Sequence, residues 1–157
     1  MLPTVQEIVK KEFRGEAGGP NPIRIYQTDD VTGDGKPEAL IDLGCCGAYA
    51  NEMTVMRMED GKPVLALFQA SHGKASPMTF LAGASVMHGA DVELLPDKQA
   101  VFAAHWDMSR DGKGVASCTG EAYRWNAGSE SFELDGQLSR SLARDFCKTL
   151  SARLVTR

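Results

Sequence analysis

The spacing of apolar positions along this chain changes period twice. Val5, Ile8, Val9 and Phe13 recur at helical spacing. Thr4-Val5-Gln6-Glu7 ahead of them reads as a capping box, so a short amphipathic helix is predicted over roughly the first dozen residues. Residues 15–22 hold three glycines and two prolines and end it in a loop. From Ile23 the period is two. Strands are predicted at 23–26 and 39–43, and a small-residue connection follows over 44–51. Strands at 53–58 and 64–68 flank Glu59-Asp60-Gly61-Lys62-Pro63, a hairpin turn signal.

Residues 77–87 form an apolar stretch interrupted by Gly83, which predicts a bent or bulged strand. A second hairpin is expected from 91–95 and 99–106 around Pro96-Asp97-Lys98. A third joins 121–125 to 131–134 around Asn126-Ala127-Gly128-Ser129. From Leu138 the helical period returns, with Leu138, Leu142, Phe146, Leu150 and Leu154 four residues apart. The expectation is one domain over 1–157, mainly β (α+β). It consists of antiparallel β-hairpins, candidates for propeller blades, with a short N-terminal and a C-terminal helix. A closed propeller needs at least about four four-stranded blades, more strands than the periodicity supplies.

Composition narrows the function classes. The net charge of -4, without a run of like charges, argues against nucleic acid, which requires a basic stripe. No apolar run approaches the length of a membrane span. Four cysteines (Cys45, Cys46, Cys118, Cys147) allow about three pairings. Cys118 with Cys147 is one candidate, tying the last part of the sheet to the terminal helix. Adjacent Cys45 and Cys46 read equally as a thiol metal site, a vicinal disulfide, two half-cystines or reduced core residues. His72, His88 and His105 lack zinc-ligand spacing. Trp106, Trp125, Tyr123 and Phe132 are accounted for as core aromatics of the last hairpins; the alternative is a carbohydrate or peptide groove using an exposed Trp.

The chemistry concentrates in Asp30-Val31-Thr32-Gly33-Asp34-Gly35-Lys36-Pro37-Glu38, between two predicted strands. Oxygen-bearing side chains at alternate positions, with glycine at the sixth, can turn inward on one hard cation, and Ca2+ takes about six to eight oxygens. Without a cation, carboxylates so arranged repel one another. An Asp- and Gly-rich turn without an ion is the alternative. This stretch resembles the FG-GAP repeat of integrin-type β-propellers, whose calcium loop reads Asp-x-Asn-x-Asp-Gly-x-x-Asp between two strands. The resemblance covers residues 23–43. It implies Asp30, Thr32, Asp34 and Glu38 as side-chain ligands and Lys36 as a backbone carbonyl ligand.

Thr32 and Glu38 depart from that pattern, so calcium affinity should be modest. Ile41 at the twelfth position and the flanking strands exclude an EF-hand loop. A fainter echo, Asp107-Met108-Ser109-Arg110-Asp111-Gly112-Lys113, lacks the closing carboxylate; it reads as a simple turn, with an internal duplication as the alternative. Met1-Leu2-Pro3-Thr4 shows no secretory leader. Both a cytosolic protein and an exported one without its leader fit. The calcium loop, saturated only where calcium is abundant, favours a periplasmic or extracellular place. The functional expectation is a non-enzymatic, calcium-stabilised module binding a protein or glycan. The alternatives are a small hydrolase or thiol enzyme and a structural domain with an ion-free loop.

Overall fold

The computed structural model describes residues 7–8, 23–44, 50–70, 73–85 and 87–155. Ten strands join in one sheet. They are β1 Arg24–Asp29, β2 Glu38–Asp42, β3 Ala50–Glu59, β4 Lys62–Leu65, β5 Phe68–Gln69, β6 Phe80–Ala84, β7 His88–Leu95, β8 Ala100–Met108, β9 Val115–Asn126 and β10 Ser131–Leu134. One long helix, α1, spans Gly136–Val155. Of the predicted N-terminal helix, Glu7 and Ile8 are helical; its other positions lie outside the described residues.

The hairpin signals fold as local chemistry dictates. Asp60 and Gly61 both take positive φ, 50° and 76°, as a tight two-residue turn requires between twisted strands. Pro96–Lys98 makes a single 3-10 turn between β7 and β8. Gly83 takes a φ of 142° within β6, which covers only Phe80–Ala84 of the predicted 77–87 stretch and pairs with β3 and β7 without a shift in register. The hairpins do not stand as separate blades. The order is β1-β2-β3-β6-β7-β8-β9-β10-β5, with β4 also on β3.

Long-range pairing explains why the sheet wraps. Met53 pairs with Asp42 of β2 and Phe80 of β6, while Met56 pairs with Ala39 of β2 and Leu65 of β4. A strand has two edges, so β6 and β4 share the edge of β3 that β2 leaves open. From β4 the chain keeps to β3 through Ala66 N–H to the Val55 carbonyl (2.9 Å). It then crosses to β10, where Phe132 N–H donates to Leu67 O (2.8 Å) and β5 pairs in parallel. The strands thereby return to β3 around one interior.

That interior holds Val31, Leu40, Val55, Phe80, Leu94, Val101 and Phe132, among others. Phe68 sits amid Phe80 (5.2 Å), Tyr123 (5.4 Å) and Phe132 (5.1 Å), measured between ring centroids. Ile23, Ala39, Ile41, Leu43 and Met56 form a smaller cluster on the other face of β2, with Ile8 against it. On the outer face of β8 and β9, Phe102, Ala104 and Ala122 take the α1 stripe of Leu138, Leu142 and Phe146. Asp135 caps this helix, its carboxylate accepting Leu138 N–H at 2.9 Å. A disulfide joins Cys118 of β9 to Cys147 of α1, Cα–Cα 6.0 Å, one of the pairings the sequence left open. Strand β9 starts at Val115, six residues ahead of the predicted 121–125 strand. Its early positions, Val115 to Gly120, are mostly small and lack a clear alternation, and pairing with β8 makes them extended.

Candidate metal centre

The loop 30–37 joins β1 to β2, whose register sets Asp29 opposite Glu38. Its second residue, Val31, is fully buried and joins the main core, which pins the loop to the sheet. Glu38, 1% exposed, turns its carboxylate under the loop. It accepts Val31 N–H (2.9 Å), Thr32 N–H (3.2 Å) and the Thr32 hydroxyl (3.3 Å). Asp30 organises the outer side, accepting Gly33 N–H (2.7 Å) and Gly35 N–H (2.8 Å). Asp34 accepts Lys36 N–H at 2.8 Å. Gly33 and Gly35 have φ of 79° and 84°, a region that side chains with a Cβ rarely adopt. At Gly33 an added Cβ would also stand 2.3 Å from Gln99 Nε2, so the loop rests on the β7–β8 turn.

This folding brings together one oxygen each from Asp30, Asp34 and Glu38, all within 4.8 Å of one another. Among the described residues no other group of three His, Cys, Asp or Glu side chains converges in this way. Of the other sequence-predicted ligands, Thr32 adjoins the cluster through its hydroxyl bond to Glu38, and Lys36 donates its amide N–H to Asp34, which is not the carbonyl contact expected of it. The electrostatics differ by residue. Burial, with the nearby Asp34 charge, pushes the Glu38 carboxyl above its ordinary range, against the pull of the Val31 and Thr32 donors. At Asp30 desolvation also pushes upward, but the backbone amides, led by those of Gly35 and Gly33, outweigh it and hold the carboxyl low. An all-oxygen set of this kind suits a hard divalent cation and not a soft one.

The echo at 107–113 folds differently. Asp107 lies in β8, where His88 Nδ1 and the Ser117 hydroxyl (2.9 Å) hold its carboxylate across the sheet. These two bonds, His88's first, keep it below the usual carboxylate range. Ser109 and Asp111 bond each other at 2.6 Å and close an ordinary hairpin turn before β9. His105 pairs with Thr119 (2.8 Å) on the same face. Cys45, Cys46 and His72 lie outside the described residues.

Trp125 packs on Phe132 (5.0 Å) and carries the Arg57 guanidinium 4.3 Å from its ring centre. Sequence reading missed the support that Val31 and Gln99 give the loop. A lone apolar residue within an acidic loop was the signal for Val31. Gln99 had no signal, because its role comes from a distant turn. A scan against protein-family models finds no match, and neither do comparisons with curated proteins and with solved structures.

Proposed function

We propose that this protein is a non-enzymatic, calcium-stabilised β module, exported from the cell, that binds a protein or glycan partner. The observation carrying the proposal is the convergence of Asp30, Asp34 and Glu38 within 4.8 Å, with Glu38 deep beneath the loop. A buried carboxylate beside two others is stabilised in its charged form by a cation among them. The resemblance of the loop to the FG-GAP repeat points to Ca2+. The cation ties the loop to the end of β1 and the start of β2, adding folding free energy by linkage. Ile25 and Tyr26, near the start of β1, are 46% and 59% exposed and offer a partner apolar contact. The Cys118–Cys147 disulfide accords with an oxidising compartment.

One observation favours a second reading, an ion-free loop. The amides of Val31, Gly33 and Gly35 already satisfy Glu38 and Asp30, so the loop has an internal scaffold of its own. Thermal unfolding during calcium titration separates the two. Calcium at about ten times its Kd should add about 1.4 kcal/mol, raising the melting temperature of the parent and not that of Asp34→Ala. An unchanged melting curve at millimolar calcium leaves the ion-free loop standing.

A further inference from the structure

Helix α1 covers the outer face of the sheet only in part. Ser139 bonds Ala122 and Cys147 bonds Cys118, so the helix runs antiparallel to β9, and its last turns lie toward the Met108 end of β8. Between those turns and strands β6 to β8 lies a groove of about 1000 Å3. Its apolar side is Trp106, Phe146, Leu150 and Leu154. The Trp106 indole lies across Gly89, where any Cβ would stand 2.0 Å from the ring, and packs 5.6 Å from Phe146. The β7 wall presents Asp91 and Glu93, which pair with Ala104 and Phe102. They stand at the opposite end of the groove from Lys113 and Arg153.

Among the described residues neither acid makes an ion pair. Partial burial, then Asp91, Asp97 and Asp29 in turn, raises the Glu93 carboxyl, so the acids gather on the β7 wall of a groove whose lining also includes Lys113 and Arg153. A volume of this order is at the upper end of small-ligand sites, typically apolar and aromatic with a few placed charges.

We propose that this groove binds an amphiphilic organic cation, its ammonium or guanidinium head against Asp91 and Glu93 and its apolar body along Trp106, Leu150 and Leu154. The acids attract the head, the indole adds cation–π and apolar contact, and burial of the body supplies the rest. This site shares no residue with the calcium loop, and its test is run in chelator, so the failure of one reading leaves the other intact.

The probe is n-octylammonium below its micelle concentration, titrated calorimetrically against n-octanol and octanoate of equal chain length. Octylammonium should bind at least about tenfold tighter than octanol, a gap of about 1.4 kcal/mol, with octanoate weakest. The Asp91→Asn/Glu93→Gln variant, its fold checked by thermal melting, should lose that advantage while still binding octanol. Equal binding of octylammonium and octanol overturns the proposal, and so does an advantage that survives the double substitution. Binding of a lysine-rich peptide without binding of octylammonium overturns it as well, and assigns the groove to a protein partner.

Discussion

Asp30, Asp34 and Glu38 share one loop, yet each loses something different when removed. Asp30 holds the amides of Gly33 and Gly35 whether or not a cation is present. Asp30→Ala should therefore lower the melting temperature both with calcium and with chelator. Asp34 contributes one local bond to Lys36, so Asp34→Ala should be near neutral in chelator and lose the calcium response. Glu38 is distinguished by its pH dependence. Its folded-state pKa lies above the ordinary value of 4.5, so the folded protein holds this proton more tightly than the unfolded chain. Its contribution is full below pH 4.5 and lost as pH rises through the folded value. The parent-minus-Glu38→Gln stability difference in chelator should fall over that window and then level off. Added calcium should oppose the fall, because the ion requires the charged carboxylate. The alternation of these side chains was legible because it is a property of nine consecutive residues. The burial of Glu38 was not, since it follows from the loop folding back over the start of β2 with Val31 seated in the core.

Elements show the same division. The hairpin at Asp60-Gly61 and the α1 stripe were legible, since turn chemistry and a four-residue period act within a few residues. The Asp135 cap and the disulfide then decide how firmly α1 is held. Asp135→Ala should cost about 1 kcal/mol in urea unfolding, through loss of the bond to Leu138 N–H. The Cys118–Cys147 bridge closes a sequence separation of 29. Loop-closure entropy puts its contribution at about 3.5 kcal/mol. Cys118→Ala/Cys147→Ala should lower stability by an amount of that order, again read from urea unfolding. The β5 strand was not foreseen as a separate element. Residues 64–68 read as one continuous strand, and only the parallel seat beside β10 splits it at Ala66 and Leu67.

For the whole molecule, the interior depends on strands that meet from opposite ends of the chain. Phe68 comes from the two-residue strand β5 and contacts rings from β6, β9 and β10. Phe68→Ala should cost about 3–5 kcal/mol and broaden the unfolding transition, since it removes the ring shared by three strands. The same variant should weaken calcium binding only through loss of the folded population, a point that titration at low temperature can check. Among the described residues no helix is long and apolar enough to cross a membrane.

By itself the chain of residues determined the strand and helix periods, the turn sites and the alternating oxygens. Each depends on neighbours a few positions apart, where backbone geometry alone relates residue types to structure. Tertiary structure decided the rest. Both β4 and β6 take the same edge of β3, so the sheet curls, Val31 and Gln99 fix the loop, Glu38 goes under it, and an acidic, aromatic groove opens beside α1. Those outcomes depend on contacts across most of the sequence, and the cost of bringing such distant segments together is repaid only by the packed interior they create.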